Sequence, residues 1–102
     1  MTNVVTSNAT LDSITIGPAT LQAEVTVGES EQLTARGAYS DSTFFDIATE
    51  VNWASSDPAV VTVSNITGEK GQITGVMSGF AEVTATDPRT LVTDTISVVV
   101  LQ

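Results

Sequence analysis

At 102 residues the chain has room for one domain, large enough to bury somewhat over ~60% of the surface its unfolded form exposes. A hydrophobic content of 41% with 15% charged residues argues against disorder, which needs low apolarity with high charge. The net charge of −9, with Arg36, Lys70 and Arg89 as the only strong bases, argues against nucleic acid and anionic membrane as partners, because both are bound through clustered Lys or Arg.

Thr accounts for 17 residues and Val for 14. Side chains branched at Cβ lose rotamer freedom in helices and pack well on a pleated surface, so the composition points to β structure. Cysteine is absent, which removes disulfides, thiolate nucleophiles and thiolate metal ligands. The opening MTNVVTSNAT lacks the basic residues and apolar core of a signal peptide, and no run approaches the roughly 18 apolar residues of a membrane span. We therefore expect a segment of a longer protein, with residues 1–9 as a linker or N-terminal extension and residues 10–102 as a single domain.

Leu11 to Ile16 reads as a first strand, stopped by Gly17-Pro18. In LQAEVTV, Leu21, Ala23, Val25 and Val27 alternate with polar residues, the period-2 pattern of a half-buried strand, and Gly28 ends it. SEQLTARGAY continues the alternation through Leu33 and Ala35 as one strand. YSDSTFFDIATE is turn-rich and breaks it. Val51 and Trp53 share a face of the next strand. After SSDP, the run AVVTVS turns Val61 and Val63 inward.

NITGEKG reads as a hairpin turn in which Gly68 and Gly71 are free to take positive φ. GQITGV follows, then a turn at MSG and FAEVTAT with Ala81, Val83 and Ala85 inward. Asp87-Pro88 breaks the chain before LVTDTISVVVL, where Ile96, Val98 and Val100 share a face. Seven or eight short strands at turn spacings near ten residues predict an all-β, two-sheet sandwich.

Three segments in order, GESEQLTARGAYSDST, DIATEVNWASSDPAVVTVSN and GQITGVMSGFAEVTAT, resemble the bacterial immunoglobulin-like domain of group 2. The likeness covers about residues 11–100. It implies an immunoglobulin-like sandwich with Greek-key topology. It also implies a non-enzymatic module displayed at a bacterial cell surface, one bead of a tandem array as in intimin- and invasin-type adhesins or leptospiral immunoglobulin-like proteins. A domain of a phage tail protein, displayed on a virion, and an accessory carbohydrate-binding module are the alternatives. Neighbouring domains of the same chain, a host protein or a surface glycan are the partners this implies. Two departures from the family pattern stand out: Phe44 and Phe45 in a turn that usually carries small or polar residues, and Ala48 where threonine is common.

Candidate chemistry is sparse. Ser55, Ser56 and Asp57 could suggest a hydrolase, but a serine nucleophile needs a base and the chain has no histidine. Asp57-Pro58 reads instead as a turn initiator. No catalytic residue is assigned. Trp53 is either the buried tryptophan of a sandwich core or a sugar-stacking platform, and its frame with Val51 favours the core. Paired carboxylates of the glycosidase kind need two acids across a cleft, whereas the acids here fall at turns or on outward strand positions.

Asp41, Asp46, Asp57 and Asp87, with Glu50 and Asp94, could supply oxygens to Ca²⁺, although no acid-rich calcium loop occurs. No other cofactor is expected. Phe44 and Phe45 would point opposite ways in an extended segment, one capping the core and one partly exposed, and they are the interaction candidates. Asn8–Thr10 and Asn65–Thr67 match the eukaryotic glycosylation acceptor pattern, which arises easily by chance in a Thr-rich chain.

Overall fold

The computed structural model describes residues 10–17 and 22–102; the expected linker at 1–9, Pro18 and Leu21 lie outside them. Ten strands occur among the described residues: β1 (Leu11–Gly17), β2 (Gln22–Thr26), β3 (Ser30–Gln32), β4 (Thr34–Tyr39), β5 (Phe44–Asp46), β6 (Asn52–Ser55), β7 (Val61–Val63), β8 (Gln72–Gly75), β9 (Gly79–Thr86) and β10 (Thr93–Leu101). They hydrogen-bond as β2-β10-β9-β6, β1-β4-β5 and β3-β8-β7.

Three hydrogen-bonded sheets make only two layers. SEQLTARGAY, expected as one strand, pairs with β8 over Ser30–Gln32 and with β1 over Thr34–Tyr39. Between the two halves Leu33 is fully buried, and its N–H donates to the Gly71 carbonyl at 2.9 Å. The chain thus exchanges one partner for another without leaving its layer. This exchange, together with the short β5, raises the expected seven or eight strands to ten. β6 and β9 are neighbours in the four-stranded sheet, while the β7–β8 hairpin between them in sequence lies in the opposite layer, which gives the Greek-key crossing.

The alternation seen in the sequence sets the core. Ala81, Val83 and Ala85 of β9 and Ile96, Val98 and Val100 of β10 face Ile14, Ile16, Leu33, Val61 and Ile73 from the other layer in one continuous cluster. Each fully buried Val, Leu or Ile contributes about 1.5–3 kcal/mol relative to exposure. Val63, expected inside, is half-buried and packs against the core margin. In β1 the buried residues are Leu11, Ile14 and Ile16 rather than a strict alternation, because the register shifts between Leu11 and Ser13. That bulge at Asp12 rephases the strand and keeps Leu11 inward.

The two ends of the domain lie at opposite poles. Tyr39 pairs with Leu11 at one pole, and Ser30 pairs with Thr74 near the other. There Gly75 bridges Val27, whose N–H donates to the Leu101 carbonyl at 2.8 Å. The run from Ser30 to Tyr39 separating them spans about 30 Å at strand rise. Between the poles, the Ile16 N–H donates to the Asp94 carboxylate at 2.9 Å, tying the end of β1 to the start of β10.

Candidate functional site

The stretch around Trp53 is built for packing. Trp53 is 3% exposed, and its indole N–H donates to the Ala48 carbonyl at 3.0 Å. Gly71 lies against it at φ +85°, and a Cβ there would sit 3.0 Å from Trp53 Cζ2 and 3.0 Å from the Leu33 carbonyl oxygen. Only glycine fits both the conformation and the space. The polar groups nearby are committed to backbone. Ser55 Oγ donates to the Val61 carbonyl at 2.7 Å, Ser56 Oγ accepts from the Glu82 N–H at 2.9 Å, and Asp57 accepts from the Ala59 N–H at 3.1 Å. The two serines and the aspartate shape a turn, and neither hydroxyl has a base beside it in the hydrogen bonding.

The candidate calcium residues are not brought together. Among the described residues no group of three or more acidic, histidine or cysteine side chains is placed to hold a metal ion. Asp41, Asp46, Asp57 and Asp87 each close their own turn, while Glu50 pairs with Arg89 and Asp94 accepts from the distant Ile16 N–H. Asp41 accepts from the N–H and hydroxyl of Thr43, and Asp46 accepts from the Ala48 N–H. The Thr43 hydroxyl bond lowers the Asp41 pKa from its ordinary value.

Asp87 is the buried acid of the fold, at 2% exposure. It accepts from the Thr90 hydroxyl at 2.7 Å and the Thr90 N–H at 3.0 Å, and Arg89 lies 3.5 Å away while also reaching Glu50 at 3.3 Å. Burial alone would raise its pKa. The Thr90 hydrogen bonds and the Arg89 charge together outweigh burial and hold it below the ordinary value.

Phe44 and Phe45 require a correction. They lie in the edge strand β5 and not in a turn, with Phe44 opposite Ala38 and Phe45 opposite Gly37. Gly37 faces the core, since a Cβ there would meet Leu11 and Ile47, so Phe45 shares the inner face. Yet Phe45 is 57% exposed and Phe44 53%, so neither caps the core. The facing layer does not reach over β5. Phe45 packs edge-to-face on Tyr39 with centroids 5.6 Å apart, and the Arg36 guanidinium sits 4.4 Å from the centre of the Phe44 ring. With Thr34, Ala35, Arg36 and Asp46 the two rings line a shallow groove of about 340 Å³.

Sequence reasoning did not give Asn65 a structural role. Its amide bonds both the N–H and the carbonyl of Trp53 on the edge strand β6. It also missed Arg36 as the partner of Phe44, because neither contact leaves a periodic trace.

Comparison with known proteins agrees with this architecture. Ice-binding protein 1 of Shewanella frigidimarina (strain NCIMB 400) is 38% identical over 80 residues, which is 78% of this chain and 8% of that protein. The chain therefore matches under a tenth of that relative's length. Domains 4 and 5 of the S-layer protein SbsC superpose with a TM-score of 0.72 at 19% identity, covering 93% of this chain and 54% of that one. The SbsC structure of domains 1–6 gives 0.71 at 18% identity, covering 92% and 13%. These solved structures share the fold. The sequence profile of the bacterial Ig-like domain (group 2) matches residues 10–100, and the chain belongs to that family.

Proposed function

We propose that the chain is a non-enzymatic structural module of a bacterial cell-surface protein, one bead of a tandem array that projects a functional part of an adhesin away from the cell. The observation that carries this reading is the placement of Leu11 and Leu101 at opposite poles, so that tension applied at the two ends runs along the strands. Family membership, and a relative about twelve times longer than the matched segment, support a place within a larger chain. The commitment of Ser55, Ser56 and Asp57 to backbone supports a role without catalysis. The Phe44–Phe45 edge is the surface we assign to a host protein, a surface glycan or a neighbouring domain.

Surface proteolysis of intact cells making the parent protein tests the location. Release of peptides from this chain before lysis is the expected result. Release only after lysis would contradict the reading.

A further inference from the structure

A second apolar surface lies at the pole opposite Phe44 and Phe45. Phe80 is 76% exposed, and Val27, Val76, Met77 and Leu101 are between 39% and 51% exposed. The hydrogen bonding gathers them. Val27 is joined to Leu101 by its N–H and bridges Gly75, the residue before Val76. The N–H groups of Val76 and Met77 both donate to the Val60 carbonyl, which holds that turn on the end of the sandwich. Phe80 is in register with Val99, two residues before Leu101 on the same outward face. Scattered exposed apolar residues are ordinary, but five at one end of a small acidic domain form a patch of the kind that marks an interface.

Leu101 is held in the β10 ladder up to its own carbonyl, so the last strand ends at the patch. At the other pole Thr10 is clamped by reciprocal bonds with Ser40, beside Tyr39 and Phe45, so a domain joined end to end presents its aromatic edge first. The matched SbsC structures carry this fold next to further domains of one polypeptide. We propose that Val27, Val76, Met77, Phe80 and Leu101 form the seat for the next domain of the chain, a second copy of this fold received through its Phe44–Phe45 pole. The proposal rests on the reading of the chain as one bead of an array, and it makes the array stiff rather than a string of free beads.

The test uses one polypeptide holding two copies of the 102-residue chain, compared with the single copy by thermal melting and solution scattering. The two-copy chain is expected to melt several degrees higher and to scatter as one elongated body. Met77→Ser with Phe80→Ser in the first copy should abolish the gain, as should Phe44→Ser with Phe45→Ser in the second. The Met77→Ser and Phe80→Ser pair should lower the single copy's melting temperature by much less than it lowers that of the two-copy chain, because Phe80 is 76% and Met77 51% exposed in the single domain. A two-copy chain that melts like the single copy and scatters as two independently oriented bodies would overturn the proposal. So would an equal loss in the single copy. Neither result bears on surface location, which the proteolysis experiment decides separately.

Discussion

The side-chain amide of Asn65 pairs with the backbone of Trp53 as a neighbouring strand would, its Oδ1 accepting from the Trp53 N–H at 2.8 Å and its Nδ2 donating to the Trp53 carbonyl at 2.8 Å. β6 is the edge of its sheet, and this pairing satisfies the backbone on its open side at the residue that anchors the core. Asn65→Ala is expected to cost about 1–3 kcal/mol, the usual penalty for stranding partly buried polar groups. Asn65→Asp should be no better, since it replaces the donor with an oxygen facing the Trp53 carbonyl. Urea denaturation measures both, and an Asn65→Ala chain as stable as the parent would remove this role.

Two glycines of the same hairpin should respond differently to alanine. Gly68 and Gly71 both have positive φ, but a Cβ at Gly68 meets nothing within 4 Å, whereas at Gly71 it presses on Trp53 and the Leu33 carbonyl. Gly68→Ala should cost only the conformational strain of about 1–2 kcal/mol. Gly71→Ala should cost clearly more, and Trp53→Ala about 3–5 kcal/mol. Equal melting temperatures for the two glycine variants would contradict the packing of Gly71 on the indole.

Asp87 should give the fold an acid limb. Its folded-state pKa lies below the ordinary 3.8, so its contribution is present above the unfolded-state value and is lost as pH falls through the folded one. Stability should therefore be flat in this respect above about pH 5 and decline below it. Asp87→Asn should be less stable than the parent at neutral pH, with the difference shrinking toward pH 3. Denaturation curves across that range check this, and a difference independent of pH would contradict it.

Calcium should have no effect on the melt of the isolated domain. Asp41, Asp46, Asp57 and Asp87 each already accept hydrogen bonds from their own turns, and a bound cation would have to replace them. Melting in millimolar calcium and in chelator should superpose. A higher melting temperature with calcium would assign these acids a metal after all.

Most of the sandwich was legible because burial here follows strand parity. Ala81, Val83, Ala85, Ile96, Val98 and Val100 are all buried as their alternation predicts. The same parity places Phe80 outward, so the second apolar pole was implicit in FAEVTAT. Its clustering was not, since Val27, Met77 and Leu101 come together only through the bridge at Gly75 and the turn on Val60. The exchange of partners at Leu33 and the pairing of β5 were hidden for the same reason. Alternation reports which face a residue takes, not which strand lies beside it. Phe45 shows the limit of parity: it takes the inner face and stays exposed because no strand covers it.

Force spectroscopy tests most directly the claim that the domain is a mechanical spacer. Pulled through its two ends, the chain loads β10 in shear against β2 and β9 and β1 in shear against β4, so many hydrogen bonds must fail together. Pulled across the β3-β8-β7 sheet through thiols introduced by Ser30→Cys and Thr62→Cys in this cysteine-free chain, the ladders open one bond at a time. A single cooperative unfolding event at clearly higher force is expected for the end-to-end pull. An end-to-end force equal to or below the transverse one would contradict it.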